Sequence, residues 1–492
     1  MADLEKRSSD LAEKASLECV AASPTVKLDS HGLPLVPQPT DDPSDPLNWP
    51  RWLKWCLVVL TSMSAFNTPW TLATSNPAFV VMGKYFHVEP AVASYPSAVG
   101  ILFAGMGAFF WVPLANVFGR RPVLIFTLLM TCAFTAWGGS VSSSEDGFRQ
   151  LYIARAFSGF AAAASPALCI AIVCDLFCIH ERGRAIGGPH LASLPGGYLA
   201  QYVGWAWTMY LAAITSGVLA LLVVCFYPET LYVRNPDAVY PRAARPILSR
   251  LSIIPRAAPT RSLKLASFGH PFYMFRYPVV ILCCVYYALS FTLGSVLPAL
   301  TTSKNMATFY GFAAGRTGLL LSLATTIGGV LGEFLAGPVI DRRLDRSRQA
   351  GHKIIPEQRL LGLAPAPLIF IAGFLIFGLA FQFKLTYVAV AIGMALTCLA
   401  LQVVTTPIYA YLTDAFKPQS AEIAQVLNVS RQTLAFTVPW WANAANVNLG
   451  FGWAYGLYAI LMTVAVVPIV WVYRCGAANR ERMGPPPFNR GL

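Results

Sequence analysis

Three ionisable side chains stand inside runs that are otherwise apolar: Arg155 in LYIARAFSGFAAA, Glu333 in LSLATTIGGVLGEFLAGPVIDRR and Arg431 in NVSRQTLAF. A charge among such residues is expensive in hydrocarbon, so each has to face a partner, a wet cavity or an interface. Their chemistry would be the binding and release of protons or solutes. Glu333 is a proton-binding group or a structural partner of Arg342 or Arg343. Arg155 serves coupling or substrate charge, or it reaches the outer interface, since it lies about four residues from the expected helix start. Arg431 pairs with an acid such as Asp414 or binds carbonyls at a cytoplasmic gate. His190 titrates near neutral pH and suits proton-linked transport, or its ring is satisfied by a backbone carbonyl. Asp175, Glu181 and Arg182 crowd one turn and suit a gating network, although solvated loop charges often contribute little. No paired carboxylates, metal-ligand cluster or nucleophile motif stands in a plausible context, so an enzyme is not expected, nor a metal or cofactor.

These groups need elements to hold them. From Ala156 to Cys174 no charge occurs, and at about 1.5 Å per helical residue that run matches a hydrocarbon core of roughly 30 Å. Twelve such segments fall at approximately 54–76, 93–115, 122–143, 150–176, 185–205, 207–228, 278–300, 315–339, 361–382, 385–412, 422–446 and 451–473. Only Gly204 to Trp207 separates the fifth from the sixth. Of 492 residues 56% are hydrophobic and 12% charged, against about 25% charged in an average soluble domain, and the mean hydropathy is +0.55. The chain is expected to be a polytopic membrane protein. No secretory signal precedes the first apolar run, so the first helix is expected to act as its own insertion signal.

The net charge of +13 points to topology rather than to nucleic acid. With the amino terminus inside, twenty-five Lys and Arg flank the inner ends and five the outer: Lys84, Arg149, Lys304, Arg316 and Lys384. That bias sets both termini in the cytoplasm. The expected organisation is a disordered cytoplasmic tail (1–48), a six-helix bundle (49–228), a cytoplasmic central loop (229–276), a second six-helix bundle (277–474) and a cytoplasmic tail (475–492). The 11 Cys show no metal spacing and read as packing residues; the sequon at Asn428 is discounted because it lies within a helix.

VPLANVFGRRPV follows the second segment and GEFLAGPVIDRRLDR the eighth, the same place in each half. These residues resemble the major facilitator superfamily. Its loop signature is matched at Leu114, Ala115, Gly119, Arg120 and Arg121. It is departed from at Val112, Asn116 and Val117, where the family has Gly, Asp and Arg. Asn116 leaves the loop without that carboxylate and shifts a latch role towards Asp341 and Arg342. LYIARAFSGFAAA is similar to the fourth-helix motif of the drug:proton antiporters, at Arg155 and Gly159. GGPHLASLPGGYLAQYVGW resembles their glycine- and proline-rich fifth helix, departing at Ser193 and Leu194. PQPTDDPSDPLNW, DLFCIHERGR and FYPETLYVR resemble fungal members of that branch, including exporters tied to secondary-metabolite pathways.

The resemblance implies an all-α membrane protein of 12 transmembrane helices in two pseudo-symmetric six-helix bundles, the major facilitator fold. Helices one, four, seven and ten line the cavity in that superfamily, which makes Asn67, Trp70, Tyr286, Tyr287, Gln402 and Tyr409 substrate-facing candidates. Aromatics with a few polar groups suit bulky, mostly apolar ligands. The expected function is proton-driven export of a small amphipathic compound by alternating access, from a monomer in the plasma membrane. An importer of a nutrient or polyamine is the alternative, disfavoured by the few intramembrane acids. A non-transporting sensor would normally carry a larger folded tail or loop.

Overall fold

The computed structural model describes residues 45–176, 193–231, 266–349, 356–416, 419–484 and 486–488. Among the described residues all regular structure is helical. An apolar segment in lipid has to satisfy its own backbone groups, and the helix does so within the segment. Eight stretches are long and apolar enough to cross a membrane by themselves: Val92–Phe118, Arg120–Gly139, Ala206–Phe226, Pro278–Tyr310, Ala314–Leu335, Pro356–Gln382, Tyr387–Ala415 and Phe451–Met483. They are spans 2, 3, 6, 7, 8, 9, 10 and 12. Span 1 is the helix Arg51–Ala73, and Ser193–Tyr202 is the described part of span 5. Spans 4 and 11 are each built from two helices, Glu145–Ala162 with Ala164–Leu176 and Ser420–Phe436 with Val438–Leu449.

Proline explains the breaks. Pro166 lacks the N–H that Ala162 O would accept four residues back, and Thr68 Oγ1 of span 1 donates to that carbonyl at 2.6 Å instead. Pro439 follows the break in span 11 at Thr437. In span 7 a π-helical turn, Thr292–Val296, interrupts the helix ahead of Pro298. The Gly294 carbonyl released there accepts from Cys398 Sγ of span 10 at 3.6 Å. Pro166 and Pro298 thus each trade a bond within their span for one that ties it to a neighbour.

The end of the molecule that carries Asp45 and Phe488, the first and last described residues, is called the near end, and the opposite one the far end. Within each half a glycine lets two spans cross closely. A Cβ on Gly159 of span 4 would lie 2.2 Å from the Gly100 carbonyl of span 2, and one on Gly328 of span 8 would lie 2.2 Å from the Ala395 carbonyl of span 10. Only glycine lets these backbones meet so closely. Spans 5 and 6 are joined by a tight turn in which the N–H groups of Val203 and Gly204 both donate to Leu199 O.

The helices run ten residues past the expected limits at three places. Span 7 continues to Tyr310, span 8 to Gln349 and span 12 to Met483, because the membrane limits an apolar run and not a helix. Residues 45–48, assigned to a disordered tail, form a 3-10 turn whose Pro46 and Leu47 are buried. Asp45 caps that turn by accepting from Leu47 N at 3.1 Å, and Lys54 Nζ donates to Leu47 O at 2.8 Å. The end of the central loop likewise holds a helix, Ala266–Tyr273.

Candidate functional site

Arg155 lies deeper than expected. Ser144 caps Gly147 N, and Glu145 and Asp146 suit the positive end of the helix, so span 4 starts at Glu145. Arg155 is ten residues further on, about 15 Å along the helix, and 1% exposed. It does not reach the interface. Span 1 ends at Ala73, and the last carbonyls of a helix have no donors of their own. Arg155 supplies them: Nη1 donates to Thr71 O at 2.9 Å and Nη2 to Leu72 O at 3.0 Å. Nη2 also donates to Ser75 Oγ at 3.1 Å and to Ser97 Oγ at 3.0 Å. A cation held at the negative end of a helix dipole is thereby stabilised.

Arg431 is eleven residues from Ser420, about 16 Å along the helix and near the middle of span 11. Its Nε and Nη2 donate to Asn428 Oδ1 at 3.2 and 3.0 Å, and Nη1 donates to Tyr287 OH at 3.3 Å. The guanidinium also sits 4.6 Å from the Phe291 ring centre. Tyr287 packs edge-on to Tyr409 at 5.5 Å. Spans 7, 10 and 11 therefore converge on one cationic, aromatic-walled locus. The expected pairing of Arg431 with Asp414 is corrected: Asp414, close to the near end of span 10, accepts from Arg359 Nε and Nη2 at 2.7 Å each.

Glu333 accepts from Gln402 Nε2 at 3.2 Å, which joins two candidates from spans 8 and 10. It belongs to a stripe, Gly315, Ser322, Thr326, Gly329 and Glu333, repeating at helical spacing. At the far end this stripe meets the first half, where Gly315 N donates to Gln201 Oε1 of span 5 at 2.9 Å. Ser322 is buried on it, while Glu333 is exposed towards the near end. The stripe that ends at Glu333 begins at the Gly315 contact with the other bundle and is distinct from the exposed Leu323, Ile327 and Phe334.

The remaining candidates separate. Asn67 is occupied in tying span 1 to span 6: its Nδ2 donates to Ser216 Oγ at 2.8 Å, and Thr215 Oγ1 donates to its Oδ1 at 3.4 Å. Trp70 lies beside Phe66, and its buried indole N–H has no partner. Tyr286 is buried with its hydroxyl unpaired. His190, Glu181 and Arg182 lie outside the described residues, as do the side chains of Asp175, Asp341 and Arg342.

At the near end Gly119 adopts φ +108, a conformation that L side chains rarely adopt, and starts span 3. The carboxylate absent from Asn116 is supplied by Glu229, just past span 6. It accepts Arg120 N at 2.9 Å and Arg121 N at 3.1 Å, capping the span 3 helix, and Leu231 N at 2.8 Å. Asn116 Oδ1 accepts from Arg120 Nη1 at 2.5 Å, and buried Arg121 donates to Val224 O at 2.6 Å. In the second half Glu357 accepts from Arg480 Nη2 at 2.5 Å and from Tyr411 OH at 3.4 Å. Sequence reasoning missed Glu229, Glu357 and Asn428. The one available signal was an acid directly after an apolar run, as in FYPET.

At the far end the two halves meet through polar contacts. Ser303 Oγ donates to Pro77 O at 3.1 Å and Lys304 pairs with Glu89, while Tyr95 stacks on Trp440 at 4.8 Å. Midway, Asn428 Nδ2 donates to Ala104 O at 3.4 Å.

Twelve spans in two repeated bundles, with ionisable groups on inner faces, define a multi-pass membrane carrier for small molecules. A family model of the Major Facilitator Superfamily matches residues 56–439, and the chain belongs to that superfamily. It is a secondary transporter and not an enzyme. The chain is 28% identical over 453 residues to the MFS transporter cpaT of Aspergillus oryzae, covering 88% of this chain and 89% of that one. It is 24% identical over 455 residues to the efflux pump radE of Floropilus chiversii, covering 88% and 82%. Among solved structures, the human organic anion transporter MFSD10 (TETRAN) matches in fold with a TM-score of 0.50 at 15% identity, covering 86% of this chain and 100% of that one.

Proposed function

We propose that this transporter exports a small amphipathic organic compound in exchange for protons, as a member of the fungal drug:proton antiporter branch. The bundles 49–228 and 277–474 would rock about a central site. The observation that carries the proposal is the Glu333–Gln402 pair on the polar stripe of span 8. A carboxyl group there gains or loses a proton as its surroundings turn dry or wet, and Gln402 offers it a donor without a fixed positive charge. The aromatic locus around Arg431 supports a bulky substrate, and relatives named efflux pumps support the direction. In this reading both termini would lie in the cytoplasm of a plasma-membrane monomer, and the far-end contacts would close the extracellular side.

Expression in a cell stripped of its own pumps tests this. Accumulation of an amphipathic toxic compound should fall, and the effect should vanish when the pH gradient is collapsed. A gradient-dependent rise in accumulation would instead mean import. No change for any compound at normal surface expression would overturn the proposal.

A further inference from the structure

We infer that the central site selects organic anions, holding an aromatic carboxylate on Arg431 between Phe291, Tyr287 and Tyr409. The inference rests on the proposed carrier function and names the charge of its substrate. Among the described residues no carboxylate pairs with Arg431, since Asp414 is held by Arg359 and Glu357 by Arg480. Its polar partners are neutral, Asn428 Oδ1 and Tyr287 OH. A guanidinium carries five N–H donors, and the three bonds described use one from each nitrogen. One N–H on Nη1 and one on Nη2 remain, and both can donate to a carboxylate.

The walls fit the rest of such a molecule. Phe291 lies against one face of the guanidinium, and the Tyr287 and Tyr409 rings meet edge-on beside it. Arg431, Asn428, Phe291 and Tyr409 are each only partly buried, so a ligand has access to them. Arg155 adds a second buried cation whose described partners are carbonyls, hydroxyls and a thioether. A cationic substrate would meet like charge here, and among the described residues no acid pairs with either arginine to offset it. Glu333 belongs to a different pair of spans, with Gln402 as its partner, and remains free for the proton.

Full-length protein in proteoliposomes, with an imposed pH gradient, would be given three radiolabelled probes of one ring system: 2-naphthoate, its neutral methyl ester and 2-naphthylmethylammonium. The wild type should move the anion in preference to the ester and leave the ammonium behind. Arg431→Gln should lower the anion-to-ester ratio about 10- to 100-fold, and Arg431→Lys, which keeps the charge without the fork, should fall between. Size-exclusion profiles matching wild type would show that both variants fold. Transport of the ammonium or ester in preference to the anion, or an unchanged ratio in Arg431→Gln, overturns the anion inference while the carrier function stands. Failure to move any of the three overturns the inference, while the exporter proposal stands or falls by accumulation in the pump-deficient cell.

Discussion

The Glu229 carboxylate accepts the backbone N–H of Arg120 at 2.9 Å, so an acid just past span 6 caps the helix that opens span 3. The same carboxylate holds Arg121 N and Leu231 N, and it lies where a side chain on Gly119 would collide with it. The loop signature keeps its glycine and arginines but has Asn116 in place of the acid. The negative charge is thereby moved to another span and not lost. Glu229→Gln keeps the volume and removes the charge, and hydrogen bonds to a charged group are worth about 1.5–3 kcal/mol. Thermal unfolding of the purified variant should show a loss of that size, while Asn116→Asp, which adds a carboxylate beside Arg120, should not recover it. Stability unchanged in Glu229→Gln would remove the capping role.

Arg155 closes the end of span 1 through two carbonyls and two serine hydroxyls. Lysine presents a compact point charge and not a planar fork, so it cannot serve acceptors spread over spans 1 and 2. Arg155→Lys should reduce transport at least tenfold at normal surface level, and Arg155→Ala should also destabilise the fold by about 2–4 kcal/mol. Equal activity of Arg155→Lys and wild type would show that only the charge matters.

The glycine crossings make a paired prediction. Valine at position 159 or 328 places its Cβ against a backbone carbonyl that cannot yield, so the helices have to separate. Overpacking of this kind costs about 1–3 kcal/mol. Gly159→Val and Gly328→Val should therefore each lower the midpoint of thermal melts. A midpoint unchanged by either substitution would show that the helices accommodate a side chain at that crossing.

Lys304 and Glu89 bridge the halves at the far end, next to the contact of Ser303 with Pro77. An exposed pair is worth about 0–1 kcal/mol, enough to shift an opening equilibrium up to about fivefold. In a cysteine-free background, Ser303→Cys should react faster with an impermeant maleimide when Lys304→Glu is added. The further change Glu89→Lys should slow it again. Rates independent of these charges would exclude the pair from the gate.

Much of the fold was legible because a bilayer imposes length and apolarity on every span, and both are local properties of the chain. The expected segment 207–228 is the helix Ala206–Phe226, and 278–300 opens at Pro278. Helix ends beyond the hydrocarbon, such as Gln349 and Met483, were not legible, since polar residues continue a helix once outside the lipid. Partners were less legible still. Arg431 finds Asn428 one turn back on its own helix and Tyr287 on span 7, whereas Asp414 is taken by Arg359 at the start of span 9. Asn428 had been set aside as a buried sequon. The Glu333–Gln402 bond joins two residues named separately, because sequence gives a residue's face on its own helix but not the neighbour that covers it.

In the proposed cycle Glu333 carries the coupling proton. Purified wild type and Glu333→Gln in proteoliposomes would be compared for substrate accumulation driven by a pH gradient and for substrate exchange without one. Glu333→Gln should abolish the driven accumulation and keep the exchange, because glutamine retains the bond to Gln402 but cannot titrate. Accumulation at the wild-type rate in Glu333→Gln, with the same dependence on the gradient, would contradict the account.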